Sequence, residues 1–249
     1  MSTEIIEKLD TENKVLEICI NRPDSKNALS HAMYDELTGI LHKYSSGDHC
    51  NTIILYGAGN CFTAGADTKD FQKKRGPGDS PAVKFLRALS QVEIPLIAAV
   101  EGYAIGIGTT LLQHFDFVFA APNTKFRLPF AALGLCPEGG SSLLLERIVG
   151  LRKSRDWLMT CRIFDGNEAH AAGFLTDLVE PADLLARARI TAKTLAGLPQ
   201  HSIKLTKEML TAGTKADLKE AFDKEVRMYA ECLATDSTQE LIRSMRAKK

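Results

Sequence analysis

An α/β fold is predicted by three features of the sequence. Short, continuously apolar runs recur at residues 15–21, 52–56, 95–100 and 116–121. Stretches with helical spacing lie between them, and after about residue 140 the pattern turns almost wholly helical. Apolar runs that do not alternate with polar residues indicate a sheet covered on both faces.

The elements follow in chain order. Residues 15–21 are rich in β-formers and are broken by Arg22, Pro23 and Asp24. Ser30 is placed to cap a helix that carries Met33, Leu37, Ile40 and Tyr44 on one face. Residues 52–56 form a strand ending at Gly57, and 82–92 a helix. Two further strands, 95–100 and 116–121, flank a helix expected after Gly106 and Gly108. The clearest helix is 216–233, where Leu218, Phe222, Val226, Tyr229 and Leu233 make one stripe. That stripe suits a core face or a subunit contact. Glu220 with Lys224, and Asp223 with Arg227, have i,i+4 spacing on the wetter side. Residues 195–199 read as a turn and mark a boundary.

Composition narrows the function. The 249 residues are 45% hydrophobic and 25% charged, enough apolar surface to bury a sizeable core. Thirty-one basic residues balance 31 acidic ones, so no basic excess exists to drive binding to nucleic acid or to an anionic membrane. No apolar stretch is long enough to span a bilayer, and residues 1–10 are too polar for a signal peptide. The six cysteines show neither CxxC pairing nor zinc spacing, so no metal site is expected. Reduced thiols and the lack of a targeting signal point to a reducing, cytoplasmic setting.

Generic motifs fail. Gly106, Ile107 and Gly108 are half of a dinucleotide fingerprint, but the third glycine is missing and Leu128 stands where a ribose-binding acid belongs. No P-loop and no GxSxG elbow occurs, and the six histidines make no catalytic or metal spacing.

Three segments together resemble the crotonase superfamily, the enoyl-CoA hydratase/isomerase family. They are NRPDSKNAL at 21–29, FTAGADTK at 62–69 and PLIAAVEGYAIGIG at 95–108, the last continuing through Phe126 to Gly140. Their order and spacing match the family over residues 10–249. The resemblance implies a core of ββα turns wound as a spiral over 1–195, containing the acyl-CoA site. It implies a helical C-terminal part, 196–249, that builds a homotrimer or hexamer. The substrate implied is an acyl-CoA thioester, so coenzyme A belongs to the substrate and no separate cofactor is expected.

By family position, the backbone amides of Ala66 and Ile107 form an oxyanion hole for the thioester carbonyl. Such donors are worth roughly 3 kcal/mol each. Close approach to a backbone donor explains small neighbours such as Gly65, Gly106 and Gly108. The CoA moiety is implied to lie along Lys26, Ala28, Ala64, Asp67, Thr68 and Lys69. Lys26 and Lys69 are equally readable as solvated surface charges. Lys73, Lys74, Arg75 and the Gly/Pro-rich residues after them read as a mobile loop.

Hydratases of this family place glutamates where Thr110 and Phe130 stand, and neither of these residues can serve as a general acid or base of that kind. The run LPFAALGLCPEGGSS at 128–142 looks like the peroxisomal-type Δ3,Δ2-enoyl-CoA isomerases, which use one glutamate, here Glu138. The resemblance therefore implies an isomerase of fatty-acid β-oxidation, with Phe130 drying the pocket. Taken alone, Glu138 also reads as an acid at a helix start. Another crotonase reaction, hydration or thioester hydrolysis, and a catalytically silent acyl-CoA-binding module are the alternatives.

Overall fold

The computed structural model describes residues 4–70 and 78–247. Two sheets are built side by side as the chain winds. The larger has six strands in the order β1, β2, β3, β4, β6, β9. These are β1 (Ile5–Asp10), β2 (Val15–Ile20), β3 (Thr52–Gly57), β4 (Leu96–Val100), β6 (Phe117–Ala120) and β9 (Asp177–Leu178). β1 pairs antiparallel with β2, and every later pair in this sheet is parallel. The smaller sheet joins β5 (Tyr103–Ile105), β7 (Lys125–Arg127) and β8 (Ile163–Asp165).

The spiral lies in how the chain alternates between these layers. β4 runs into β5 and β6 runs into β7, so each large-sheet strand hands over to a short second-layer segment. Earlier turns do the same with single bridges, Leu29 to Ala66 and Thr63 to Ala104. The second layer thus stacks 29, 63–66, 103–105 and 125–127 in chain order, each beside the next.

Burial explains the continuous apolar strands. Ile53 and Leu55 of β3, with Leu96, Ala98 and Val100 of β4, face the main core. Ile54, Ile97 and Ala99 face the other way, against Leu184, Ala188 and Ala192 of α7 (Leu184–Ala196). The sheet is covered on both sides, and a polar residue within it needs a partner, as Glu17 of β2 finds in Arg189 of α7 at 2.7 Å.

α1 (His31–Tyr44) begins where expected, its cap Ser30 accepting a hydrogen bond from the Met33 amide at 3.3 Å. Met33, Leu37, Ile40 and Tyr44 are all buried. α2 is Pro81–Ser90. The helix after the glycines is shorter than its pattern suggests. α3 spans only Ile107–Thr110 and tightens into a 3-10 turn, Leu111–His114. The strand β6 must start at Phe117, which leaves no room for further turns. β1 also escaped the pattern, because its polar exposed face hides the strand period in this edge position.

α4 (Ser141–Val149), α5 (Leu151–Thr160) and α6 (Gly166–Ala171) follow the spiral. α8 (Gln200–Ala212), α9 (Lys215–Leu233) and α10 (Asp236–Ala247) make the C-terminal part. The expected boundary at 195 falls in the last turn of α7. In α9, Phe222 is buried and Leu218, Tyr229 and Leu233 pack on the main core. Asp223 meets Arg87 of α2 at 2.6 Å rather than serving only its own helix. No helix among the described residues is long and apolar enough to cross a membrane.

Candidate active site

The second-layer segments end at a cavity of about 680 Å³. Of the residues singled out from sequence, Ala64, Gly65, Ala66, Asp67, Thr68, Gly106, Ile107, Phe130 and Glu138 border it. Thr110 stands just behind the wall, fully buried, its Oγ1 donating to Glu138 Oε1 at 3.4 Å. Lys26, Ala28 and Lys69 do not border the cavity. The Lys26 amino group lies over the Tyr103 ring, 5.3 Å from its centroid. The Lys26 carbonyl accepts the Ala64 amide at 2.9 Å, so the residue serves the backbone of this wall. Lys73, Lys74 and Arg75 fall outside the described residues.

Two residues at the cavity wall, Ala66 and Ile107, keep amides that the backbone pairing does not use. Leu29 bonds the neighbours of Ala66, its N–H to the Gly65 carbonyl and its own carbonyl to the Asp67 amide, both at 2.8 Å. A parallel bridge of this kind leaves the Ala66 N–H on the opposite side. Ile107 opens α3, and the first amides of a helix have no acceptor within it. Among the described residues no backbone acceptor takes either N–H. The two segments run together, because Thr63 donates to Tyr103 at 2.9 Å and accepts from Ile105 at 3.2 Å.

Glycine is required at both crossings. A Cβ on Gly65 would lie 2.4 Å from the Ile105 carbonyl oxygen. Gly106 has φ 58° and ψ −119°, a conformation essentially closed to residues with a side chain. The asparagine of the first motif is a clamp rather than a ligand. Asn27 is fully buried and donates to the carbonyls of Ala58 and Cys61, fixing the loop that leads to the cavity.

Glu138 sits on the turn before α4, gripped from three sides. The Glu138 carbonyl accepts from the Ser141 hydroxyl, which in turn accepts from Gln113 at 2.8 Å. His114 Nε2 meets the Gly139 carbonyl at 2.9 Å, and its ring stacks on Phe222. Burial pushes His114 down to about 4, so it is neutral at pH 7 and carries its hydrogen on Nε2, the nitrogen facing that carbonyl. From α9, Glu225 accepts the amides of Gly140 and Ser142 at 2.7 and 2.8 Å. Burial raises the Glu225 carboxyl in spite of these bonds.

Other carboxylates at the cavity are committed elsewhere. Asp67 pairs with Arg22 at 2.7 Å, and Asp70 accepts the His31 amide at 2.7 Å. Burial alone would raise Asp67, but the Lys69 amide and Arg22 together hold it below the usual carboxylate range. Asp79 pairs with Arg87. Phe222, Glu225, Val226, Tyr229 and Ala230 of α9 complete the wall. The cavity therefore draws on α9 of the C-terminal helical part as well as on residues 1–195. Among the described residues no group of three or more metal-ligating side chains is gathered to hold a metal ion.

A family model described as enoyl-CoA hydratase/isomerase matches residues 10–248. The chain belongs to the enoyl-CoA hydratase/isomerase family. As a member of that family it is an enzyme with the crotonase fold. It is 28% identical to the short-chain-enoyl-CoA hydratase of Clostridium acetobutylicum, over 97% of this chain and 94% of that one. It is 31% identical to enoyl-CoA delta isomerase 2 of Rattus norvegicus, over 84% of this chain and 55% of that protein. The solved structure of OdaA from Pseudomonas aeruginosa superposes with a TM-score of 0.94 at 33% identity, over 98% of this chain and 99% of that one. Relatives with hydratase names match this family member as well as the isomerase does. The expected closeness to the isomerase branch therefore has no support beyond the site itself.

Proposed function

We propose that this enzyme is a Δ3,Δ2-enoyl-CoA isomerase that moves the double bond of a 3-enoyl-CoA to the 2-trans position in fatty-acid β-oxidation. One observation carries this reading. Glu138 borders the cavity that the amides of Ala66 and Ile107 also border, while the two positions where hydratases of the family hold glutamates are Thr110 and Phe130.

The chemistry follows from that arrangement. The thioester carbonyl accepts hydrogen bonds from Ala66 and Ile107, which stabilise the negative charge as it forms. The Glu138 carboxylate takes a proton from C2, the electron pair flows toward the carbonyl oxygen, and the dienolate rests against the two amides. The carboxyl then returns the proton at C4, and the double bond closes between C2 and C3. Atoms and charge balance with one acid/base group on one face. Phe130 keeps that face apolar and protects the intermediate from water. Coenzyme A enters and leaves as part of the substrate. In this reading its nucleotide end lies outward from Asp67 and Thr68, where Lys26 and Lys69, beyond the cavity wall, offer point charges to phosphate.

Hydration is the second reading, favoured by the hydratase names among the relatives. It requires a second acid at the cavity, and the remaining carboxylates there are tied up in structural bonds. Purified protein given 3-hexenoyl-CoA and 2-hexenoyl-CoA separates the readings. An isomerase builds conjugated thioester absorbance from the first and does not erase that of the second by adding water. A hydratase erases it, and a silent module changes neither. Glu138→Gln is expected to lower isomerase turnover by about a hundredfold to ten-thousandfold, the usual contribution of a general base. Near-wild-type turnover in that variant would remove Glu138 as the base.

A further inference from the structure

Tyr34 is a buried polar group at the cavity that the reaction above leaves unused. It lies in the first turn of α1, and its ring leans on Phe85 of α2 with centroids 5.8 Å apart. The residue is 1% exposed, yet it borders the same cavity as Glu138. Its hydroxyl oxygen has no hydrogen-bond partner among the described residues. Folded proteins satisfy nearly all buried hydroxyls, because an unpaired one costs stability. An orphan in the wall of a substrate cavity points to a partner that reaches it when the cavity fills.

Several ionisable groups surround this hydroxyl. After burial itself, Glu138 is the group that most opposes its ionisation, ahead of Tyr229, Asp70 and Asp67. Together these drive the phenol well above its ordinary range, so it is a donor at any working pH. From the 61–70 segment, Asp67 is held by Arg22 and Asp70 by the His31 amide. From α9, Glu225 is held by the amides of Gly140 and Ser142. Asp79 and Lys84 near the start of α2, and His31 on α1, complete the polar rim.

We propose that Tyr34 is a positioning residue for Glu138, its hydroxyl donating a hydrogen bond to the Glu138 carboxylate once an acyl chain occupies the cavity. The inference rests on the reading of Glu138 as the base. The bond holds the carboxylate over C2 and C4 of the bound chain. It also favours the ionised form, which keeps the base ready at lower pH.

Tyr34→Phe removes the hydroxyl and keeps the ring against Phe85. With 3-hexenoyl-CoA, kcat is expected to fall about tenfold, the usual worth of one hydrogen bond to a charged group. KM and the binding of saturated hexanoyl-CoA stay unchanged. The acidic limb of the kcat–pH profile moves up by about one unit, because the carboxylate has lost a donor. An unchanged kcat with an unmoved limb overturns the proposal. A lower kcat with an unmoved limb and a lower melting temperature also overturns it, since packing alone would do that. Glu138→Gln run alongside separates the two claims. If that variant is inactive and Tyr34→Phe behaves as wild type, only the role of Tyr34 falls. If Glu138→Gln keeps its turnover, the base assignment falls and this inference falls with it.

Discussion

Glu168 shows how one carboxylate can fasten a region that the site depends on. It accepts from Trp157 Nε1 at 3.0 Å, from Lys153 at 3.1 Å and from Arg162 Nη1 at 2.8 Å. Trp157 in turn stacks on Phe164 with centroids 3.7 Å apart, so the polar cluster closes over an aromatic one. The Arg162 hydrogen bonds, first among the causes, pull Glu168 down to about 2. A carboxyl held below its unfolded value stabilises the fold above that unfolded value. It loses this contribution as pH falls through the folded one. Glu168→Gln is therefore expected to melt lower than the native chain at pH 7, by a penalty of about 1 kcal/mol for a partly solvated cluster. The gap should close between about pH 4.5 and pH 2. Thermal unfolding of both chains across that range measures it, and a constant gap would contradict the assignment. Tyr34 makes the same point about single residues from the sequence side. The helix face of Met33, Leu37, Ile40 and Tyr44 was legible from spacing. Tyr34 was not, because nothing in its neighbours distinguishes a hydroxyl pointing to a cavity from one at the surface.

At the scale of elements, α9 and α8 behave in opposite ways. α9 turns inward, and its buried acid Glu225 occupies the start of α4 in place of a local cap. The apolar stripe of α9 was visible in the sequence, but nothing in local spacing sets Glu225, one position before Val226, apart from a surface charge. Only the approach of two amides from 83 and 85 residues away gives it a purpose. Glu225→Ala leaves both amides buried without an acceptor. It is expected to destabilise the protein by about 2–4 kcal/mol, since each unsatisfied group costs about 1–3 kcal/mol. Glu225→Gln retains one acceptor oxygen and should lie between, as denaturant unfolding would show. A melting curve unmoved by Glu225→Ala would contradict the role. α8 instead buries none of its residues. Lys207 ties it to the Ile94 carbonyl and to Asp116, at 2.8 and 2.7 Å. Meanwhile Met209 and Leu210 are 77% and 79% exposed. Two large apolar side chains left open on one helix suit a contact with another copy of the chain. We expect a trimer or hexamer by light scattering. Replacing Met209 and Leu210 together with glutamate should shift the protein toward monomer. A native chain that scatters as a monomer at micromolar concentration would end this expectation.

Across the whole molecule, the sequence made β2, β3, β4 and β6 of the large sheet legible and hid the small sheet. Runs such as residues 53–55 and 96–100 are apolar throughout because both faces of the sheet are packed. Segments such as Tyr103–Ile105 and Lys125–Arg127 are three residues long, too short to carry a period. The motifs around Gly65 and Gly106 marked where these segments cross, since only glycine fits there. The walls supplied by α9 were not legible, because a cavity closed by an element more than eighty residues away leaves no mark in local spacing.

The bridge of Leu29 to Ala66 and the opening of α3 have a consequence for the molecule's history. The two amides they leave unpaired at the cavity wall are main-chain groups, present whatever side chains surround them. Among the twenty residues only proline, which has no N–H, deletes them by substitution. Residues 110, 130 and 138, by contrast, present ordinary side chains, each replaceable by a single codon. Under the proposed function, the means of polarising a carbonyl is held in the shape of the backbone. The choice of reaction then rests with the side chains at 110, 130 and 138, so a change of chemistry would leave the backbone superposable.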